Sequence, residues 1–137
     1  MNRIFIRAAA ILAALAVIIG AMGTHLLKNI LAPAALESVK TAANYQMIHS
    51  IALIIVGILS RYYNNKKMLY AGYAFFVGIL FFSGSIYLMA TFNQMGLKFG
   101  KIIALITPLG GLMFISGWIL LVLAIPKRGG YVKGEDS

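Results

Sequence analysis

Residues 41–60 read TAANYQMIHSIALIIVGILS. The second half of this segment, from Ile48 to Leu59, is strongly apolar, whereas the first half carries Asn44, Gln46 and His49. A helix rises about 1.5 Å per residue, so a hydrocarbon core of about 30 Å takes roughly 20 residues. The segment reaches that length only when counted whole, from Thr41 to Ser60, with its polar groups inside the bilayer. Outward from it lie three runs that need no such allowance: Ile4 to Thr24, Met68 to Phe92 and Ile102 to Ile125. The pattern predicts an all-α membrane protein, a four-transmembrane-helix bundle with helices over about residues 4–25, 37–60, 68–92 and 102–125. The transmembrane domain spans 1–126, and a polar cytoplasmic tail covers 127–137. Arg3 and Arg7 ahead of an apolar run also fit a signal peptide, but the length of the run favours a first span.

Composition agrees. The chain is 61% hydrophobic and 11% charged, where a soluble domain carries about 25% charged residues. Its net charge is +9, yet the basic residues stand at the edges of apolar runs. There they set topology and meet anionic headgroups, so lipids rather than nucleic acid are the expected partners. Arg3, Arg7, Arg61, Lys66, Lys67, Lys127, Arg128 and Lys133 fall on one side of the expected bundle; Lys28, Lys40, Lys98 and Lys101 fall on the other. That asymmetry predicts N-in/C-in. The absence of cysteine excludes disulfides, thiol catalysis and cysteine zinc sites.

The connections are short. Leu26 to Leu31 suits an interfacial turn or short helix ahead of Ala32-Pro33-Ala34, Asn64 to Lys67 and Gly96 to Lys101 are polar links, and Pro126 ends the last run. Lipid gives apolar helices no solvent reason to associate, so small residues that let backbones approach mark contacts. Ala9, Ala13, Ala16, Gly20 and Gly23 make one such seam on helix 1. Ala71, Ala74, Gly78 and Ser85 make one on helix 3, and Gly110, Gly111 and Gly117 one on helix 4. Pro108 cannot donate a backbone bond within helix 4.

Polar groups at depth are costly and are candidate sites. Gln46 and His49, three residues apart, share a helix face. With alternating helix directions, Ser83, Ser85 and Thr107 fall in the same outer half, and His25 lies near the outer interface. The expected cluster is therefore His25, Gln46, His49, Ser83, Ser85 and Thr107. Its simplest role is a buried hydrogen-bond network holding helices together; a pocket for a lipid, quinone or other hydrophobic molecule is the alternative. A metal or bis-histidine haem site is disfavoured, because His25 and His49 are the only histidines and stand about 15 Å apart in depth by helical rise. No metal or cofactor is expected.

Catalysis has little to work with. The only acids are Glu37, Glu135 and Asp136, and none belongs to a span centre. Proton-coupled transport commonly uses an intramembrane carboxylate, and none is present. The expected function is non-enzymatic: an accessory, scaffolding or membrane-homeostasis component that binds lipid, a membrane-protein partner or a second copy of itself. The alternative is a binder or carrier of a small hydrophobic ligand in an outer-leaflet pocket, and a redox or metal protein comes third.

Four phrases occur in order along the chain: Gly20-Ala21-Met22-Gly23-Thr24-His25, Tyr45-Gln46-Met47-Ile48-His49, Phe82-Ser83-Gly84-Ser85-Ile86-Tyr87, and Thr107-Pro108-Leu109-Gly110-Gly111 followed by Gly117-Trp118. In this order they resemble the domain-of-unknown-function family 423, over about residues 4–125. The resemblance implies a small four-helix, multi-pass protein of the bacterial cytoplasmic (inner) membrane and implies no biochemical activity. The family's Gly-Ala-His-Gly around its first histidine is altered here, with Thr24 before His25 and Leu26 after it. A bend after His25 is therefore not carried over.

Overall fold

A computed structural model describes residues 1–97 and 100–126. Helix α1 spans Arg3–His25, α2 Pro33–Leu59, α3 Lys66–Gln94 and α4 Gly100–Ala124, with a single 3-10 turn at Leu27–Asn29. Among the described residues there are no strands, and all four helices are long and apolar enough to cross a membrane. The expected tail, 127–137, and Lys98 lie outside the described residues.

Local chemistry sets the helix starts. The Asn2 side chain accepts from the Ile4 and Phe5 amides at 3.1 and 3.2 Å, which caps α1. Asn65 caps α3 in the same way, accepting from the Met68 amide at 3.0 Å. Pro33 opens α2, at a position where its missing amide is no loss. Helix α2 therefore begins four residues before the expected Glu37. Gly96 ends the α3 region with φ 71, a left-handed conformation that glycine adopts without a Cβ penalty.

The helices pack mainly in chain order, α1 on α2, α2 on α3 and α3 on α4, and the last pair is the most extensive. The core runs through Phe5, Leu53, Val56, Met68, Phe75 and Phe114. One end of the bundle is tethered. The Asn2 amide donates to the Gly57 carbonyl at 2.9 Å and to Ser60 Oγ at 2.8 Å, joining the start of α1 to the end of α2. Asn65 Nδ2 donates to the Ala124 carbonyl at 2.9 Å, joining the start of α3 to the end of α4. Arg3, Arg61, Lys66 and Lys67 crowd around this end.

The small-residue seams divide. Ala9 and Ala16 are buried and Ala13 is half-buried, against α2. Gly78 and Gly110 face each other's helices: a Cβ at Gly78 would come 2.5 Å from the Phe114 ring, and one at Gly110 would strike the Phe82 backbone. Here α3 and α4 approach closely. Gly20 and Gly111 do not belong to any seam, because a Cβ at either meets nothing within 4 Å. Helical spacing put them on plausible faces, but no neighbouring helix comes within reach of either.

Candidate functional site: an intramembrane polar and aromatic layer

Helix α2 supplies the centre of the layer. Gln46 is buried and ties three helices: its Nε2 donates to the Leu12 carbonyl of α1 at 2.7 Å, and its Oε1 accepts from the Tyr87 hydroxyl of α3 at 2.8 Å. One turn on, His49 reaches α4. Its Nδ1 lies 2.7 Å from the Tyr45 carbonyl, and Trp118 Nε1 donates to its Nε2 at 3.2 Å. A carbonyl only accepts and an indole only donates. The two partners together fix a neutral imidazole with the proton on Nδ1. The ring also stacks on Phe114, centroids 3.5 Å apart and planes within 8°, while Trp118 meets it edge-on at 6.0 Å. Tyr45, Phe75 and Phe82 complete an aromatic shell around this pair.

The serines make separate ties. Ser83 is buried and donates to the Ala42 carbonyl at 2.7 Å, fastening α3 to α2. Ser85 donates to the Phe82 carbonyl at 3.0 Å and lies 2.6 Å from Thr107 Oγ1. The Ser85–Thr107 hydroxyl pair bridges the α3–α4 contact. Ser50 closes back on the Gln46 carbonyl at 2.6 Å. Among the described residues, no buried side-chain nitrogen or oxygen lacks a partner.

The sequence-based cluster is thus partly regrouped. Gln46, His49, Ser83, Ser85 and Thr107 do lie between helices, but as four separate hydrogen-bonded units: Gln46, His49, Ser83, and Ser85 with Thr107. Gln46 and His49 bond to Tyr87 of α3, to Trp118 of α4 and to backbone carbonyls, while Ser83, Ser85 and Thr107 have other partners. His25 does not join them: it is exposed at the last residue of α1. His25 stands apart from His49, whose two ring nitrogens are both engaged. Among the described residues, no group of three or more His, Asp or Glu side chains comes together. The only described carboxylate, Glu37, is exposed and paired with Lys40 at 3.2 Å. Sequence reasoning missed Tyr87 and Trp118. Each stands four residues beyond a polar or aromatic layer residue, Ser83 and Phe114 respectively, so helical spacing already put it on the right face.

Beside the layer, away from the tethered end, α2 and α4 splay. A hollow of about 910 Å³ opens between their first halves and the end of α3, with Ser38, Thr41, Asn93 and Thr107 on its walls. A second, of about 590 Å³, continues between Tyr45 and Ile48 of α2 and Gly111 and Trp118 of α4. Helix α1 lines neither.

Four bilayer-length helices fastened by neutral hydrogen bonds at depth define a small polytopic integral membrane protein. The chain belongs to the family described as "Protein of unknown function (DUF423)", whose profile matches residues 19–111. That range contains the first three phrases of the resemblance and the Thr107–Gly111 part of the fourth. It is 38% identical over 128 residues to a UPF0382 membrane protein of Staphylococcus aureus, covering 93% of this chain and 99% of that one. To the UPF0382 membrane protein YwdK of Bacillus subtilis it is 36% identical over 126 residues, covering 91% and 98%. A UPF0382 membrane protein of Haemophilus influenzae is 39% identical over 105 residues, covering 77% and 79%. No solved structure matches.

Proposed function

We propose that this chain is a non-enzymatic component of the bacterial cytoplasmic membrane, placed N-in/C-in, that acts by association as an accessory or scaffolding element of membrane homeostasis. The observation that carries this reading is the complete engagement of the polar layer. Every buried polar side chain of the layer is bonded to another helix or to a backbone carbonyl. An acid–base pair for catalysis needs a free lone pair or proton within reach of a substrate. His49, the one imidazole of the layer, offers neither, since both ring nitrogens are engaged. The layer therefore serves to fix the helix arrangement, leaving lipid-facing surfaces for lipids, a membrane-protein partner or a second copy. Orientation is supported by the excess of cations around the tethered end.

Tagged chain, extracted from its native membrane in mild detergent and analysed by mass spectrometry for proteins and lipids, tests the reading. A membrane protein recovered at constant ratio, and still recovered with His49→Gln, supports it. A bare monomer recovered reproducibly after cross-linking in the membrane refutes the accessory role. A second reading, a binder of a small hydrophobic ligand, is favoured by one observation, the splay between α2 and α4.

A further inference from the structure

The two hollows between α2 and α4 form one lateral groove, since Pro108 lines both. Its walls follow a single stripe of each helix: Thr41 and Tyr45 on α2, and Ala104, Pro108, Gly111 and Trp118 on α4. Steps of three and four residues keep such a stripe on one face. From Ala104 to Trp118 the groove runs about 21 Å at about 1.5 Å per residue. One leaflet contributes about 15 Å, half of a hydrocarbon core of about 30 Å. The groove is thus long enough to reach from the interface through a whole leaflet. Placed inside the spans and open to the side, its deep part is met by acyl chains.

The mouth has a different character. Glu37, Ser38, Asn93 and Gln94 line it, and Lys101, outside the lining itself, precedes Ala104 by three residues on α4. Lys101 is exposed and has no ion pair among the described residues, whereas Lys40 is paired with Glu37. With the Glu37 carboxylate of the mouth paired to Lys40, its amide and hydroxyl groups and the Lys101 cation, one turn before the α4 wall, make a set that suits a phosphate. Gly111, midway down, is not required by helix packing, because a Cβ there meets nothing within 4 Å. Its effect is to keep the groove open.

We propose that this groove holds one anionic phospholipid, its phosphate at Lys101 and the Asn93–Gln94 amides and one acyl chain laid past Pro108 and Gly111 to the Trp118 ring. The inference deepens the ligand-binding reading above and rests on the proposed topology only for which leaflet supplies the lipid.

Trp118 is the chain's only tryptophan and is 43% exposed, so its fluorescence reports what lies in the groove. The full chain is reconstituted in phosphatidylcholine vesicles containing increasing fractions of phosphatidylglycerol or phosphatidylcholine with brominated acyl chains. Phosphatidylglycerol should quench half-maximally at a mole fraction about fivefold lower, the preference one lysine confers near an anionic headgroup. Gly111→Leu, which fills open space, should return the phosphatidylglycerol curve to the phosphatidylcholine curve with thermal unfolding in detergent unchanged. Lys101→Gln, at an exposed position, should erase the difference between headgroups, and it decides the matter if Gly111→Leu does not fold. Coincident curves for the wild-type chain, or a preference that survives Lys101→Gln, overturn the proposal. The measurement uses purified chain and both leaflets carry the probe. A missing cellular partner or an inverted topology would leave its result untouched.

Discussion

Among the described residues, Gln46 is the one side chain that bonds to two other helices, so its removal measures how much the polar layer contributes. Gln46→Leu deletes the 2.7 Å bond to Leu12 and the 2.8 Å bond from Tyr87. The Leu12 carbonyl retains the amide donor of its own helix, four residues on, but the Tyr87 hydroxyl is left without an acceptor. Interhelical hydrogen bonds in membranes contribute about 0.6 kcal/mol on average and up to about 1.7 kcal/mol. Two of them set the expected loss at about 1.2 to 3.4 kcal/mol. Tyr87→Phe removes only the second bond and should cost about 0.6 to 1.7 kcal/mol. Once Gln46 is leucine, the hydroxyl has nothing to lose, so adding Tyr87→Phe should cost almost nothing. The double-mutant cycle then returns a coupling of about 0.6 to 1.7 kcal/mol. Reversible unfolding in mixed micelles, followed by Trp118 fluorescence, reads all four proteins. Independent sites add to within about 0.3 to 0.5 kcal/mol; additivity at that level would refute the bond between Gln46 and Tyr87 as a working tie between α2 and α3.

Three further outcomes follow from the same geometry. Gly110→Leu drives a side chain into the Phe82 backbone and should cost at least the about 1 to 3 kcal/mol of overpacking, whereas Gly20→Leu, in open space, should unfold at the parent temperature in detergent. His49→Gln loses the Phe114 stack as well as altering the Trp118 bond, so it should cost about 0.5 to 1.5 kcal/mol beyond any change in hydrogen bonding, measured by the same unfolding assay; a neutral result would mean the stack contributes nothing. For topology, cysteine at Asn64 should be protected from an impermeant thiol reagent in intact cells and cysteine at Met95 labelled, and the reverse pattern would invert the orientation.

The spans were legible because hydropathy over a bilayer length is a property of composition, which needs no knowledge of neighbours. Even the weak second span could be read, once Thr41 to Ser60 was counted whole. Faces were legible in part. Spacing put Gln46 and His49 together, and Gly78 and Gly110 on contact surfaces, but it put Gly20 and Gly111 on the same footing as those two. A helical wheel names a face without saying what that face meets. The hydrogen-bond partners were least legible, for a chemical reason. Gln46, His49 and Ser83 all use backbone carbonyls, of Leu12, Tyr45 and Ala42, and every residue type carries a carbonyl. No sequence pattern marks which one will be used. His25 was grouped with the cluster on depth alone, and its exposure at the end of α1 shows that depth without azimuth is a weak constraint.

The polarity of α2 follows from what lipid cannot do. Apolar side chains are as well solvated by acyl chains as by each other, so burial alone does not choose which helix faces which. A polar group at depth does choose, because facing lipid leaves it unpaired. Helix α2 carries such groups toward each neighbour in turn: Gln46 toward α1 and α3, and His49 toward α4. Ser83 answers from α3. These ties are single and neutral, and each is modest, so the arrangement depends on their agreement with close packing at Gly78 and Gly110. Agreement fails in one place. Beyond His49 and Trp118, toward the untethered end, no side-chain hydrogen bond joins α2 to α4 among the described residues, and the two helices part around the groove. A bilayer-embedded gap is filled by whatever the bilayer supplies. With the proposed lipid in the groove, the splay between α2 and α4 is the part of this fold whose energetics should depend on lipid composition. Stability measured in vesicles should respond to headgroup charge through Lys101 and stay indifferent to substitutions on the exposed face of α1.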